Sequence, residues 1–364
     1  MELTIAIWED CKRLLTDNQS ITCRRLQPFA DIKVHVGFYD AKSYDRNVFN
    51  EANKDFGIEI HYFGDRLNEE SVRLSKGMDV ICIFVDDTCD SRVMEKLHDN
   101  GVKLIALRCA GFNNVDLQAA EEYHIPVVRV PAYSPHAVAE YAVTLMLCLN
   151  RKVYRSTNRT REWNFKLDGL MGFDMYGKTV GIVGLGRIAR CVAQILHGFG
   201  MKLLSYDPYA DKEFAKKYDV ELVNLDELYR RSDIITLHVP LTSQTRYMIN
   251  SVSIDKMKPG VMIINTGRGK LISSGALIEG LRSRKISCAG LDVYEDEQKY
   301  FYEDLSDSII SDDKLSILLT MPNVIVTSHQ AFFTREALSN IAQTTLQNIR
   351  DFEEGKELIN KVKD

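Results

Sequence analysis

Residues 179–189 read Thr-Val-Gly-Ile-Val-Gly-Leu-Gly-Arg-Ile-Ala, and this stretch carries the strongest prediction of the fold. A β-branched run leads into a turn at Gly184 and Gly186, and a helical pattern begins near Arg187. Gly184 permits the tight turn, and Gly186 lets the backbone approach a pyrophosphate that rests on the helix N-terminus. Ala189 stands where a third small residue is needed. The stretch therefore predicts a strand, a turn and a helix that bind a dinucleotide.

The next strand supports this prediction and indicates which dinucleotide is bound. It ends at Asp207, 23 residues after Gly184, close to the roughly 20 expected for an acid that binds the adenosine ribose. A carboxylate there repels a 2′-phosphate, and Pro208-Tyr209 supplies no arginine to accept one. NAD is therefore favoured over NADP as the cofactor. A methyltransferase that uses the same turn for S-adenosylmethionine is an alternative from another class.

Short β-branched runs recur on both sides of this stretch, each followed by a helical pattern. The first series covers residues 32–38, 58–63, 80–85, 103–107 and 127–130, and the second covers 179–184, 202–206, 234–239, 261–265, 287–293 and 324–327. Apolar runs with little polar alternation are typical of parallel sheets covered on both faces. The fold class predicted is α/β, with two doubly wound, Rossmann-like parallel-sheet domains.

Two helices set the predicted domain boundaries. Residues 135–154 form a long helical pattern that Ser134 caps, with Pro135 in its first turn. Residues 334–354 form a helix after the last strand, which we expect to return to the first domain and make it discontinuous. The predicted substrate domain is 1–133 plus 334–364, and the predicted NAD-binding domain is 134–333. Residues 1–31 fit the strand–helix pattern least well, and their role is left open.

Composition excludes several classes of protein. The chain has 364 residues, 45% of them hydrophobic and 27% charged, which is typical of an ordinary globular protein. The net charge of -5 and the lack of a long single-sign run give no support to nucleic-acid or membrane-surface binding. The eight cysteines show no zinc-site spacing, so no metal is expected. Scattered cysteines and an N-terminus without a signal-peptide pattern predict a cytoplasmic protein.

Polar side chains follow three strands of the second domain, where ligands bind in open parallel sheets. Arg268 follows strand 261–265, the acidic cluster Glu295-Asp296-Glu297 follows strand 287–293, and His329 follows strand 324–327. Alone, the arginine and the acidic cluster would be typical of solvated loops, and the histidine would more often be structural. Together they suit a 2-keto acid: a guanidinium binds the carboxylate, and a histidine donates a proton to the developing alkoxide. A neighbouring carboxylate raises the histidine pKa and fixes its tautomer.

Six segments in order resemble one enzyme family, the D-isomer-specific 2-hydroxyacid dehydrogenases. Besides the glycine turn they are Ala106-Leu-Arg-Cys-Ala-Gly-Phe-Asn-Asn-Val-Asp116, Val130-Pro-Ala-Tyr-Ser-Pro135, Asn265-Thr-Gly-Arg-Gly269, Asp292-Val-Tyr-Glu-Asp-Glu297 and His329-Gln-Ala-Phe-Phe333. The resemblance runs from about Ile32 to the C-terminus. Gly267 departs from it, since serine or alanine is usual before the arginine. The departure removes no catalytic group.

The resemblance implies a role for each matching residue. Arg268 binds and polarises the substrate, Glu297 tunes the histidine, and His329 donates and accepts the proton. The substrate-binding residues implied are Ala110, Gly111, Tyr133 and Phe332, the first two through backbone N–H groups. The full set predicted to bind the cofactor is Gly184, Gly186, Arg187, Ile188, Asp207, Val239, Pro240, Thr266, Gly267 and Asp292, the last near the nicotinamide.

The resemblance also implies the reaction, reversible hydride transfer between NADH and a 2-keto acid. Tyr133 and Phe332 leave room for a methyl group, and segment 298–314 resembles the D-lactate branch of the family, so pyruvate is the expected substrate. A larger 2-keto acid is the alternative substrate, and a non-catalytic NAD-sensing scaffold is an alternative of another class. A homodimer or higher homo-oligomer is expected, with the helix at 135–154 in the contact.

Overall fold

A computed structural model of the protein describes residues 34–362 and contains two parallel β-sheets. The predictions for residues 1–31 lie outside the described residues. Twelve strands are found within the described range: β1 (His35–Phe38), β2 (Glu59–Tyr62), β3 (Val80–Ile83), β4 (Leu104–Leu107), β5 (Val127–Val128), β6 (Thr179–Val183), β7 (Lys202–Tyr206), β8 (Val220–Leu222), β9 (Ile234–Leu237), β10 (Val261–Asn265), β11 (Ile286–Leu291) and β12 (Val324–Val326).

The first sheet has five strands in the order β2-β1-β3-β4-β5, and all the pairs are parallel. Strands β3 and β4 are buried along their whole length, as their unbroken apolar sequences predict. The first strand in the sequence is paired on both sides, so chain order and sheet order differ. This arrangement is that of a doubly wound domain.

The second sheet has seven strands in the order β12-β11-β10-β9-β6-β7-β8, again all parallel. The order reverses between β6 and β9, and the glycine turn follows β6 at this switch point, where ligands bind in such sheets. The α/β fold class with two Rossmann-like sheets is confirmed. Strand β8 was not predicted, because its three residues include the exposed Glu221 and Leu222 at the sheet edge.

Helices cover both sheets. Those of at least six residues in the described range are α1 (Ser43–Ala52), α2 (Ser91–Asp99), α3 (Leu117–Glu122), α4 (Pro135–Arg151), α5 (Val153–Arg161), α6 (Arg187–Gly198), α7 (Lys212–Lys217), α8 (Leu225–Arg231), α9 (Ser251–Lys256), α10 (Ser274–Arg282), α11 (Asp313–Thr320) and α12 (Arg335–Glu353). None is both long and apolar enough to cross a lipid bilayer.

The long helix after the first sheet begins as its sequence predicts but ends earlier. The Ser134 hydroxyl accepts a hydrogen bond from Ala137 N at 3.2 Å, and Pro135 occupies the first turn of α4. The helix was predicted to reach residue 154, whereas Lys152 has φ 51° and separates α4 from α5. A left-handed residue breaks the helical hydrogen-bond ladder, and here no glycine marks it.

The final helix α12 returns to the first sheet. It packs against α1 and β4, and its residues Ile341, Ala342, Leu346 and Ile349 join the core of the five-stranded sheet. Residues that precede the second sheet therefore share a core with residues that follow it. The boundaries 133/134 and 333/334 for the two domains stay a prediction.

Candidate active site

A cleft of about 320 Å³ lies at the carboxyl ends of strands from both sheets. Asp86 follows β3 and Gly111 follows β4, while Arg268, Glu297 and His329 follow β10, β11 and β12. All five residues line the cleft. The structure thus brings together the three residues predicted to be catalytic and one of the predicted substrate-binding residues.

His329 and Glu297 form a hydrogen-bonded pair in this cleft. Nδ1 of the imidazole lies 2.8 Å from Oε1 of the carboxylate, and the two side chains are only 15% and 14% exposed. The other carboxylate oxygen accepts a hydrogen bond from Tyr294 N at 2.8 Å, which fixes the orientation of Glu297. Of the other acids in the cluster, Glu295 pairs with Lys314 and Asp296 is exposed. With Nδ1 directed at Glu297, the opposite ring nitrogen Nε2 is left for a substrate.

The pair raises the pKa of His329. Burial disfavours the charged imidazolium, but the charge of Glu297 and its hydrogen bond outweigh burial, so the pKa lies above its usual value. Arg268 opposes the rise. The imidazole therefore keeps its proton to a higher pH than an isolated histidine, as a proton donor at neutral pH requires.

The backbone around His329 is unusual and firmly held. His329 has φ 52°, in the left-handed region that costs a non-glycine residue roughly 1–3 kcal/mol. Its N–H donates to the carbonyl of Asp292 at 2.7 Å. The buried Asp292 carboxylate accepts from Thr327 Oγ1 at 2.6 Å, from Gln330 N at 2.9 Å and from Ala331 N at 2.8 Å. Asp292 thus positions the histidine loop, and its contact with a nicotinamide remains a prediction.

The Arg268 guanidinium packs directly over Gly111. A Cβ placed on Gly111 would lie 2.0 Å from Nη2 of Arg268, so only glycine permits this approach. Nη1 donates to the carbonyl of Gly267 at 2.9 Å, and Asn265 Nδ2 donates to the Arg268 carbonyl at 2.9 Å. The N–H groups of Ala110 and Gly111 donate to no other group within residues 34–362. Free backbone donors beside a guanidinium suit a carboxylate.

Two aromatic side chains that the sequence predicts to bind the substrate contact each other, but neither lines the 320 Å³ cleft. The rings of Tyr133 and Phe332 lie 6.1 Å apart at 72°, in edge-to-face contact. Phe332 is buried, and burial raises the pKa of Tyr133 to about 12. Tyr133 also lines a second cavity of about 270 Å³ with Ala110, and Gly186, Arg187 and Ile188 form its opposite side. Two of the four predicted substrate-binding residues and three of the predicted cofactor-binding residues thus line one cavity.

The glycine turn has the conformation that its sequence predicts. Gly184 has φ 89°, and a Cβ there would lie 2.8 Å from the carbonyl oxygen of His238. A Cβ on Gly186 would meet open space, and Gly186 begins α6 without a capping side chain. The first N–H groups of this helix are therefore free for a phosphate.

Asp207 stands at the end of β7 and is held beside this turn. Its carboxylate accepts hydrogen bonds from Leu185 N at 2.6 Å and from Tyr209 N at 2.7 Å. The hydroxyl of Thr266 is buried and has no hydrogen-bond partner in the described part of the chain. An anion cradle, a fixed acid and an unpaired buried hydroxyl fit a dinucleotide. Of the other predicted contacts, Gly267 follows Thr266, and Val239 and Pro240 follow β9.

Comparison with known proteins decides the family. The model of the D-isomer specific 2-hydroxyacid dehydrogenase NAD-binding domain matches residues 143–331. The chain belongs to this family. It is 50% identical over 321 residues to a 2-hydroxyacid dehydrogenase homolog of Haemophilus influenzae, covering 88% of this chain and 97% of that protein. It is 48% identical over 327 residues to D-lactate dehydrogenase of Escherichia coli, covering 90% and 99%.

A solved structure gives the same result for this 2-hydroxyacid dehydrogenase. The structure described as the pyruvate reductase of Chlamydomonas reinhardtii superposes with a TM-score of 0.85 at 42% identity, covering 91% of this chain and 99% of that one. Since the matching family model is that of an NAD-binding domain, the prediction of NAD as cofactor is confirmed. The predicted family and its oxidoreductase activity are confirmed as well.

Two residues of the dehydrogenase, one in the cleft and one in the second cavity, were not predicted from its sequence. Asp86 is buried, and burial raises its pKa to about 7, with Arg66 opposing the rise and Glu297 adding to it. His238 follows β9 in the second cavity, and burial lowers its pKa to about 4. Its Nε2 lies 2.8 Å from Thr236 Oγ1. The sequence signal for Asp86 was its position directly after an apolar strand, where ligand-binding residues are found.

Arg66 ties the loop after Glu297 to the first sheet of the dehydrogenase. Its guanidinium donates to the carbonyl of Gln298 at 2.7 Å, to that of Phe301 at 2.8 Å and to the carboxylate of Glu303 at 2.8 Å. Lys42 reaches the same carboxylate at 3.3 Å. These bonds connect segments more than 230 residues apart, and they fix the loop that carries Glu297.

Proposed function

We propose that the chain is an NAD-dependent D-lactate dehydrogenase that interconverts pyruvate and D-lactate. The observation that carries the proposal is the hydrogen-bonded His329–Glu297 pair in one cleft with the Arg268 guanidinium. The D-lactate dehydrogenase of Escherichia coli and the pyruvate reductase of Chlamydomonas reinhardtii, both similar over about nine-tenths of this chain, support the choice of substrate.

Substrate binding rests on the part of the cleft that Arg268 and Gly111 line together. The guanidinium and the free N–H groups of Ala110 and Gly111 take the carboxylate of pyruvate through charge-assisted hydrogen bonds. A carboxylate held by the guanidinium and the neighbouring backbone donors would fix the orientation of the adjacent keto group. Orientation of this kind removes part of the entropy cost of the reaction.

Proton transfer rests on His329. In pyruvate reduction, protonated Nε2 donates to the ketone oxygen as negative charge develops there, a contribution of about 10²–10⁴-fold. Glu297 keeps Nδ1 protonated and stabilises the imidazolium before the transfer. In D-lactate oxidation the neutral imidazole takes the proton from the hydroxyl.

NADH supplies the hydride. The residues that would hold it are the glycine turn with the N-terminus of α6, Asp207 for the ribose, and Thr266 and Gly267 beside the sheet. Arg187, Ile188, Val239, Pro240 and Asp292 complete the proposed set. The cavity that joins Gly186 to Tyr133 brings the cofactor side of the cleft to the substrate side.

The proposed limit on the size of the substrate side chain rests on Tyr133 and Phe332. Their rings are in edge-to-face contact, and a substrate wall formed by this pair would suit the methyl group of pyruvate better than a bulky side chain. A close-packed wall tolerates little added volume, since overpacking costs roughly 1–3 kcal/mol.

The test is the oxidation of NADH with pyruvate, beside 2-ketobutyrate, hydroxypyruvate, phenylpyruvate and oxaloacetate, with the chirality of each product determined. Fast formation of D-lactate is the expected result. A clear preference for a bulkier keto acid would refute pyruvate as the substrate and retain the proton-transfer roles. Binding of NADH without turnover of any keto acid would favour a scaffold.

The proposal extends to a cytoplasmic homodimer. Segment 163–176 projects large apolar side chains into solvent, and burial against a second copy would remove them from water. The most exposed are Trp163, Leu167, Met171 and Tyr176, at 85%, 81%, 86% and 78%. The six described cysteines are free thiols, which suits a reducing compartment. Sedimentation equilibrium tests the dimer, and a monomer at micromolar concentration would contradict it.

A further inference from the structure

Two histidines and a glutamate meet at the end of the first sheet away from the cleft. His35 is the first residue of β1, Glu59 is the first of β2, and His61 lies two residues further along β2. The parallel register pairs His35 with Glu59 and Gly37 with His61. Residues two apart on a strand point to the same face, so Glu59 and His61 share one face. The cleft residues lie at the opposite, carboxyl ends of the strands.

The spacing of the three side chains is that of metal ligands. Oε1 of Glu59 lies 3.5 Å from Nδ1 of His35 and 3.3 Å from Nε2 of His61. The three ligand atoms all lie within 4.8 Å of one another. With Zn–N and Zn–O bonds of about 2.0–2.1 Å, a tetrahedral ion separates its ligands by about 3.4 Å. Two of the three separations therefore already match, and the third, between the two imidazole nitrogens, is at most 4.8 Å.

One of these nitrogen atoms makes no hydrogen bond, although the Glu59 carboxylate lies 3.3 Å away. Nε2 of His61 is buried and makes no hydrogen bond within residues 34–362. A buried polar atom without a partner costs roughly 1–3 kcal/mol, so such atoms are rare. A cation between the three side chains would supply the missing partner and would use the carboxylate lone pairs as well.

Accessibility also suits a metal site. The side chains of His35, Glu59 and His61 are 42%, 46% and 39% exposed, so an ion can enter and keep a water molecule as its fourth ligand. Asp79 lies nearby, but its two carboxylate oxygens accept from the His35 N–H and from Lys103. Within the described residues, no lysine or arginine forms an ion pair with Glu59.

We propose that His35, Glu59 and His61 form a zinc site that joins the edge strand β2 to β1. Two imidazoles and one carboxylate suit Zn²⁺ and related borderline ions, whereas Mg²⁺ and Ca²⁺ prefer oxygen ligands. The ion links two strands that enter the sheet 24 residues apart, and it lies at the strand ends remote from hydride transfer. Its role is therefore structural.

Calorimetric titration of the metal-free full-length protein with Zn²⁺ tests this proposal, together with thermal unfolding in the presence and absence of the ion. We expect one equivalent to bind and the Tm to rise with Zn²⁺ concentration. Mg²⁺ at the same concentration should leave the Tm unchanged. Co²⁺ in place of Zn²⁺ should give the intense visible absorption of a tetrahedral ion.

The variants H35Q, E59Q and H61Q should each lower the Zn²⁺ affinity by at least about tenfold. Their NADH-dependent turnover should stay unchanged, since none contacts the cleft. Because the measured quantity is the shift in Tm caused by Zn²⁺, any change in the basal stability of a variant cancels.

Control variants separate this site from other places where zinc can bind. H197Q removes an exposed histidine whose Nε2 lies 3.5 Å from Asp219 but which has no second imidazole, so it should keep full affinity. H329Q and the double variant C11S/C23S should keep it too. Affinity that survives in H35Q, E59Q and H61Q would overturn the proposal, as would a wild-type protein that shows no binding and no change in Tm.

Discussion

Nδ1 of His329 lies 2.8 Å from Oε1 of Glu297, which leaves Nε2 of the same imidazole for the substrate. The pair depends on a left-handed backbone at His329 and on the Tyr294 N–H that holds the other carboxylate oxygen. Both supports come from loops that follow different strands of the same sheet. The raised pKa of His329 therefore depends on both loops, because together they hold the imidazole against the Glu297 carboxylate.

Substitution of Glu297 by glutamine should move the pH profile of pyruvate reduction. Glu297 raises the pKa of His329, so its loss lowers that pKa, and the rate should begin to fall at a lower pH than in the wild type. The rate at neutral pH should drop by about 10–10³-fold. The measurement is kcat/KM against pH for both proteins.

The same substitution should also change how the free energy of unfolding depends on pH. A raised pKa stabilises the folded state fully below the unfolded pKa of histidine, and the stabilisation is lost as the pH rises through the folded pKa. E297Q should therefore be less stable than the wild type at mildly acidic pH, with the difference closing at alkaline pH. Asp296→Asn, at the exposed neighbour of Glu297, serves as the control and should change neither profile. An identical pH profile in E297Q would contradict the role of Glu297.

Substitution of Gly111 by alanine should weaken pyruvate binding. The new Cβ would lie 2.0 Å from Nη2 of Arg268, so the guanidinium must move away from the carboxylate site. We expect KM for pyruvate to rise by about 10–100-fold, the loss of one charged hydrogen-bonded contact. Gly275→Ala is the control, because a Cβ there meets open space. An unchanged KM in G111A would remove Arg268 from the carboxylate site.

Substitution of Asp207 by alanine should reduce discrimination between NADH and NADPH. The carboxylate is fixed by Leu185 N and Tyr209 N, where its charge repels a 2′-phosphate. Its loss should raise KM for NADH and lower the preference for NADH over NADPH by at least about tenfold. Kinetics with both cofactors provide the measurement, and Asp211→Ala, at the start of α7, provides a nearby acidic control. Undiminished discrimination in D207A would argue against its contact with the ribose.

Substitution of Asp86 by asparagine should flatten the pH dependence of KM for pyruvate near neutrality. The pKa of Asp86 is raised to about 7 by burial, so this cleft residue gains a negative charge as the pH rises through that value. The new charge repels the substrate carboxylate, and KM in the wild type should increase with pH over this range. D86N carries no titrating group there. Equal slopes in both proteins would exclude Asp86 as the cause.

Local sequence patterns were sufficient to predict the glycine turn and the strands of both sheets other than the edge strand β8. Apolar runs such as β3 and β4 are buried along their length, and Gly184 has the positive φ that its turn demands. Edge elements were less predictable, because an exposed strand such as β8 lacks an apolar signature. The break at Lys152 was missed for a related reason, since a left-handed lysine carries no local signal.

The site was predictable where its residues follow strands, and less so where they meet through tertiary contacts. Arg268, Glu297 and His329 follow three strands whose carboxyl ends share one edge, so their convergence could be expected. Asp86 approaches from the other sheet. Likewise, His35 and His61 are 26 residues apart on neighbouring strands, and only the register brings them together. The packing of two sheets cannot be obtained from local periodicity.

The bonds from Arg66 to the loop at residues 298–303 have a further consequence. Glu297 directly precedes this loop, so separation of the two sheets would pull first on the carboxylate that holds the imidazolium charged. The position of the carboxylate that pairs with His329 therefore depends on how the first sheet packs against this loop, and not only on the sheet that carries both residues.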